Sequence, residues 1–151
     1  MGSMTSVYAI SYVSEASRDL LPQELDAILL DARLFNTSVG VTGVLFYGNG
    51  CFFQMIEGEE ASVRKAFERL SQASSHHTLR VLCEGPIASR FFDSWHMGFV
   101  HAPTSAIQKL SQAAWEDVIP YTREDAEESE GIGLLMYYWN KWAAEPSRSA
   151  P

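Results

Sequence analysis

Residues Val7 to Ser14 alternate along a run rich in β-forming side chains. As a strand, this run places Tyr8, Ile10 and Tyr12 on one face and Val7, Ala9, Ser11 and Val13 on the other. After Pro22 the period changes. Leu21, Leu25, Ile28, Leu29, Ala32 and Phe35 recur at helical spacing, with Pro22 at the first helical position and Glu24 in the first turn. This predicts a helix ending near Asn36. Val41 to Tyr47 and Cys51 to Glu57 then flank Gly48-Asn49-Gly50, a hairpin signal. On the second of these strands Phe52, Gln54 and Ile56 share one face, and Cys51, Phe53, Met55 and Glu57 the other. A second helix is predicted over 60–74, with Val63, Ala66, Phe67 and Leu70 as its stripe. Leu79 to Glu84 reads as a short strand. Trp95 to Val100 reads as another, with Trp95, Met97 and Phe99 on one face.

The order β-α-β-β-α-β-β describes an α+β, ferredoxin-like sandwich with two helices on one face of the sheet. Beyond Pro103 the pattern becomes helical. Ala106 to Ile119 carries Ile107, Leu110, Ala114 and Val118, and an acidic stretch from Glu124 to Glu130 follows. Ile132 to Trp142 is dense in apolar residues, with Leu134, Leu135, Tyr138 and Trp142 on one stripe and Trp139 beside it. Each such side chain is worth about 1.5–3 kcal/mol when buried, so this stripe needs a partner surface. The two C-terminal helices are expected to cap the sheet face lined by Val13, Phe53 and Met55. The same cap is expected to form the contact surface of a homodimer or larger homo-oligomer. The expected division is a main domain over 5–102 and a helical cap over 103–145. Residues 1–4 read as a cloning scar and 146–151 as a frayed tail.

Length and composition narrow the function. The chain has 151 residues, 46% hydrophobic and 20% charged, with a formal net charge of −8. This balance argues against nucleic acid and anionic membranes as partners. Cys51 and Cys83 form neither a disulfide framework nor a CxxC pair. No apolar run reaches the roughly 18 residues of a membrane span, and the N-terminus lacks a signal-peptide pattern. A cytoplasmic protein is expected.

Motifs for catalysis are missing. The sequence holds no P-loop, GxGxxG, HExxH or GxSxG. His76-His77 reads as a polar helix-to-strand turn rather than a metal site. Glu57, Glu59 and Glu60 read as a solvated helix start. Three polar positions stand out among apolar neighbours: Tyr12 in the first strand, Asn36 at the end of the first helix, and Gln54 between Phe52 and Ile56. A buried amide must be hydrogen-bonded, because leaving it unpaired costs about 1–3 kcal/mol. Each of the three, taken alone, is most simply a structural residue.

Taken together they resemble the BLUF family, blue-light sensors that use FAD. The matching segments are Tyr8-Ala-Ile-Ser-Tyr12-Val-Ser, Ala32-Arg33-Leu-Phe-Asn36, Val41-Thr-Gly-Val-Leu-Phe-Tyr47, Phe52-Phe-Gln54-Met-Ile-Glu57-Gly58 and Phe92-Asp-Ser-Trp95-His-Met97-Gly-Phe99. The resemblance covers Val7 to Val100. It implies a flavin held non-covalently between the two helices, FAD or in its place FMN or riboflavin. By position, Tyr12 would be the light-active tyrosine and Gln54 the side chain bridging it to the flavin. Asn36 would pair with the polar edge of the ring, and Ile28 and Leu70 would be aliphatic plates. Arg69 would reach the O2 side of the ring, and Arg33 would assist. Trp95 and Met97 would carry the signal through the last strand. Many members place an Asp four residues after the helix-two Arg, where this chain has Ala73. The resemblance also implies a photosensory protein rather than an enzyme, with output to a separate partner or through an oligomer. Two alternatives from the fold are a small ferredoxin-like enzyme, of monooxygenase or acylphosphatase type, and a flavin-independent interaction module.

Overall fold

The computed structural model describes residues 7–17, 20–72, 76–113, 115 and 130–143. The elements are β1 (Val7–Ala16), α1 (Pro22–Val39), β2 (Thr42–Gly48), β3 (Cys51–Gly58), α2 (Glu60–Ser71), β4 (His76–Ile87), β5 (Gly98–His101), α3 (Thr104–Gln112) and α4 (Glu130–Ala143). The strands form one sheet in the order β4-β1-β3-β2-β5. All neighbours are antiparallel except β2 and β5, which run parallel. This is the expected α+β sandwich with one added strand.

Local chemistry sets the element ends. The Glu24 carboxylate accepts the Leu21 backbone N–H at 2.8 Å at the start of α1. Gly40, at φ 73°, ends the helix in the left-handed conformation. The helix therefore runs one turn past Asn36 and places that residue inside its last turn. Asn49 and Gly50 both take positive φ, the two-residue turn that suits a hairpin between the paired Gly48 and Cys51. α2 ends at Ser71, three residues short of the expected boundary.

The two sheet faces bury different cores. On one, Ile10, Tyr12, Leu45, Tyr47, Phe52 and Ile56 pack with Leu25, Leu29 and Ala32 of α1 and Val63 and Ala66 of α2. On the other, Phe46, Phe53, Met55 and Val100 pack with Ile107 and Leu110 of α3 and Ile132, Leu135, Tyr138 and Trp139 of α4. The C-terminal helices thus cap the face that the sequence pattern assigned to them. Trp115 stacks on Phe53 with ring centres 5.6 Å apart, and its indole N–H donates to the Leu110 carbonyl at 2.7 Å. Leu135 has no exposed surface. Leu135→Ala should cost about 2–5 kcal/mol in chemical denaturation if cap and sheet unfold together. An unchanged midpoint would mean that the cap is a loose lid.

Other element boundaries differ from those expected. β4 is twice the predicted length, and His76 and His77 lie within it, paired with Ala16 and Glu15 of β1 rather than in a turn. The pairing partner, not local propensity, extends the strand. α3 begins at Thr104 and ends at Gln112; the expected continuation through Ala114 and Val118 to Ile119 falls on residues outside those described. β5 begins only at Gly98, so Trp95 and Met97 precede the strand. They also part company. Met97 joins the core under α1 and α2, whereas the Trp95 ring meets Trp139 of the cap at 5.5 Å. Strand alternation does not apply to a segment that is not a strand.

Candidate functional site

Tyr12 and Gln54 lie directly opposite each other in the antiparallel β1–β3 pairing. That register sends both side chains to the helix-covered face. A register irregularity in the β1–β4 pairing falls between Ser11 and Tyr12, the kind of local kink that re-aims a side chain. The Tyr12 hydroxyl donates to Gln54 Oε1. Both side chains are buried, and the Tyr12 ring meets Phe67 of α2 edge-on at 5.3 Å. Burial pushes the Tyr12 phenol far above its ordinary range, so it stays protonated. The other end of the Gln54 amide, Nε2, donates to Met97 Sδ at 3.4 Å. A thioether is a weak acceptor. Gln54 is therefore held firmly at its oxygen and loosely at its nitrogen.

Met97 is fixed from α1. Arg33 Nε donates to the Met97 carbonyl at 2.9 Å, and Asn36 Nδ2 to the His96 carbonyl at 2.8 Å. Both side chains thus grip the segment leading into β5. Leu70 of α2 is half-buried against this core, and Ile28 of α1 is half-buried. Arg69 forms an ion pair with Asp31, joining the two helices, and its guanidinium lies over the Phe35 ring at 4.7 Å. Arg69 thus has a carboxylate partner in Asp31, although position 73 is alanine. No sequence signal pairs two residues 38 positions apart. Tyr8 is bonded as well as packed: its hydroxyl donates to Glu84 at 2.7 Å and accepts from Arg64 at 2.9 Å.

Glu57 corrects the reading of it as part of a solvated helix start. It is fully buried. Its carboxylate accepts the backbone N–H groups of Phe91 at 2.9 Å and Phe92 at 2.7 Å, and the Thr42 hydroxyl at 3.3 Å. Arg90 bridges Thr42 Oγ1 at 3.0 Å and the Gly40 carbonyl at 2.8 Å. The signal was present, since Glu57 shares a strand face with Phe53 and Met55.

Burial pushes the Glu57 carboxyl up to about 7, against the pull of the two amides, Arg90 and Thr42. Between its ordinary value of 4.5 and 7, the folded chain then holds this proton more tightly than the unfolded chain does. Stability from this group is fully present below 4.5 and is lost as pH rises to 7. The stability of the parent minus that of Glu57→Gln, measured by denaturation, should fall across this window and level off above it. A flat difference would contradict the assignment.

A family model for sensors of blue light using FAD matches residues 7–98. The chain belongs to the BLUF family. A photoactivated adenylate cyclase subunit beta of Euglena longa is 32% identical over 99 residues, covering 64% of this chain and 12% of that protein. The chain thus matches only about an eighth of that cyclase's length. The ground-state structure of BlsA is 32% identical, with a TM-score of 0.62 over 69% of this chain and 70% of that one. The dark-state structure of BlrB, a BLUF protein, is 19% identical with a TM-score of 0.60 over 98% of this chain and 92% of that one, and shares the fold.

The BLUF domain is a sensory module whose cofactor is FAD. The donor set suits a flavin. Tyr12, Gln54 and Asn36 are buried polar groups, and half-buried Phe35, Phe67 and Leu70 pack against the apolar core on the same side of the sheet. A ring with apolar faces and a hydrogen-bonding edge needs this combination. Among the described residues no cluster of His, Cys, Asp and Glu could hold a metal ion, and no helix is long and apolar enough to cross a membrane.

Proposed function

We propose that Tyr12 and Gln54 are the light-responsive pair of this BLUF domain. The observation that carries this reading is the buried Tyr12–Gln54 hydrogen bond, with the far end of the same amide resting on Met97. When bound, the flavin supplies blue-light absorption and an excited state able to accept an electron. Tyr12 would give up one electron to that excited state. The oxidised phenol is strongly acidic, so its proton leaves along the hydrogen bond toward Gln54 Oε1. Gln54 reorganises its hydrogen bonds, and its weak hold on Met97 Sδ makes that end the easier one to release. Electron and proton would then return to Tyr12, leaving no net reaction. Ile28 and Leu70 would flank the ring, Asn36 would meet its polar edge, and Arg33 and Arg69 would serve its periphery.

Signal would leave through Met97 and Trp95. They sit on opposite sides of the chain just before β5, one against Gln54 and the other against Trp139. Trp139 lies so close to Gly98 that a Cβ there would stand 2.5 Å from its ring. Displacement at Met97 would therefore meet α4 at the next residue. In this reading the flavin unit spans 5–102 and the cap 103–145. The cap, with exposed Tyr137 and half-buried Leu134 and Trp142, would pass the change to a second copy or to a separate partner in the cytoplasm. The absorption spectrum of the purified chain, before and after blue light, tests the proposal. A yellow protein with a reversible red shift is expected. Colourless protein that takes up no added FAD overturns it.

A further inference from the structure

We propose that Glu57 is a positioning residue for the Gln54–Met97 contact, acting through the segment from Arg90 to Met97. This rests on the photoreceptor reading above.

The geometry starts on β3. Gln54 and Glu57 are three residues apart on one strand and point to opposite faces. Gln54 reaches Met97 directly, while Glu57 reaches the beginning of the segment that delivers Met97. Its two carboxylate oxygens divide the work: Oε2 accepts from the Phe91 amide, and Oε1 from the Phe92 amide and the Thr42 hydroxyl. Consecutive N–H groups caught by the two oxygens of one carboxylate fix both the position and the direction of the backbone. Arg90 adds a second hold by reaching Thr42 and Gly40. From there the path to Met97 is short and held at each step. The Trp95 N–H bonds the Phe92 carbonyl at 3.1 Å, and the Gly43 N–H bonds the Trp95 carbonyl at 2.9 Å. Asn36 and Arg33 then take the carbonyls of His96 and Met97.

The segment has no regular structure of its own between Ile87 and Gly98. Its course depends on these anchors, and Glu57 supplies the deepest of them. A buried carboxylate that accepts from several donors is not replaceable by an amide, since an amide nitrogen presents N–H groups to the backbone donors. Glu57→Gln therefore keeps the volume and spoils one anchor. The Met97 thioether should then sit differently against Gln54, which would alter how readily Gln54 returns to its resting hydrogen bonds.

The test uses the full chain loaded with FAD, in the parent, Glu57→Gln, Met97→Ala and the double variant. Glu57→Gln should retain flavin and change the dark-recovery rate by about threefold or more, comparable to the smaller couplings between interacting residues. In the Met97→Ala background the same substitution should change it little. A parent-like rate in Glu57→Gln, or an undiminished effect in the Met97→Ala background, overturns the proposal. If Glu57→Gln fails to fold, Thr42→Val removes one of its donors and is judged by the same two comparisons. A second readout needs no light: in flavin-free protein the Met97 methyl resonance should shift on Glu57→Gln. An unmoved resonance overturns the positioning role. A parent chain without any light-induced shift fails the photoreceptor reading instead, and leaves the methyl measurement to decide on Glu57.

Discussion

Tyr12→Phe should abolish the light-induced red shift while flavin stays bound. The phenol is buried, protonated and directed at Gln54 Oε1, so in the proposed photocycle its proton has an acceptor within hydrogen-bond reach. Removing the oxygen removes both the oxidisable group and the hydrogen bond, yet keeps the ring that meets Phe67 edge-on. The stability cost should be modest, about 1–3 kcal/mol for leaving the buried Gln54 oxygen short of a donor. Loss of photochemistry with little loss of fold is therefore the expected signature. Light-minus-dark difference spectra check it, and a normal difference spectrum would remove Tyr12 from its role. Tyr8→Phe is the matched control. Tyr8 stands on the same strand face but is tied to Glu84 and Arg64 at the surface, so its variant should cycle normally.

Gln54→Leu should be equally severe by a different route. Leucine approximates the volume of the amide but can neither accept from Tyr12 nor donate to Met97. Tyr12 would remain oxidisable, and flavin should still bind. With no amide to reorganise, there is no second hydrogen-bond pattern for the site to adopt. The expected difference spectrum is flat. A red-shifted state of ordinary size would show that Gln54 is a packing residue. Tyr12→Phe and Gln54→Leu should also be non-additive, since each alone already breaks the same hydrogen bond.

The pair was legible because strand alternation is a strict rule. Period two put Tyr12 on the face of Ile10, and Gln54 on the face of Phe52 and Ile56, both of which are buried under the helices. What alternation could not supply was the β1–β3 register that sets Tyr12 opposite Gln54. The same rule fails at Trp95 and Met97, which precede β5. It holds at Glu57, which shares the buried face of Phe53 and Met55. α1 and β4 both run past the ends that local preference predicts. A left-handed glycine and a long antiparallel partner set the observed ends, and neither is a matter of helix or strand preference.

By itself, then, the sequence determined the order of elements, the two apolar faces of the sheet, the need for a C-terminal cap and the polar trio Tyr12, Asn36 and Gln54. Each follows from periodicity or from the presence of a polar group among apolar ones, which are local properties of the chain. Only the tertiary structure decided that Met97 faces Gln54 while Trp95 faces the cap, that Asp31 partners Arg69, that Asn36 and Arg33 grip the backbone before β5, and that Glu57 anchors Phe91 and Phe92. These contacts join residues 34 to 64 positions apart along the chain. They are set by how helices and an irregular segment close over a sheet, and no local pattern records which donor will meet which acceptor.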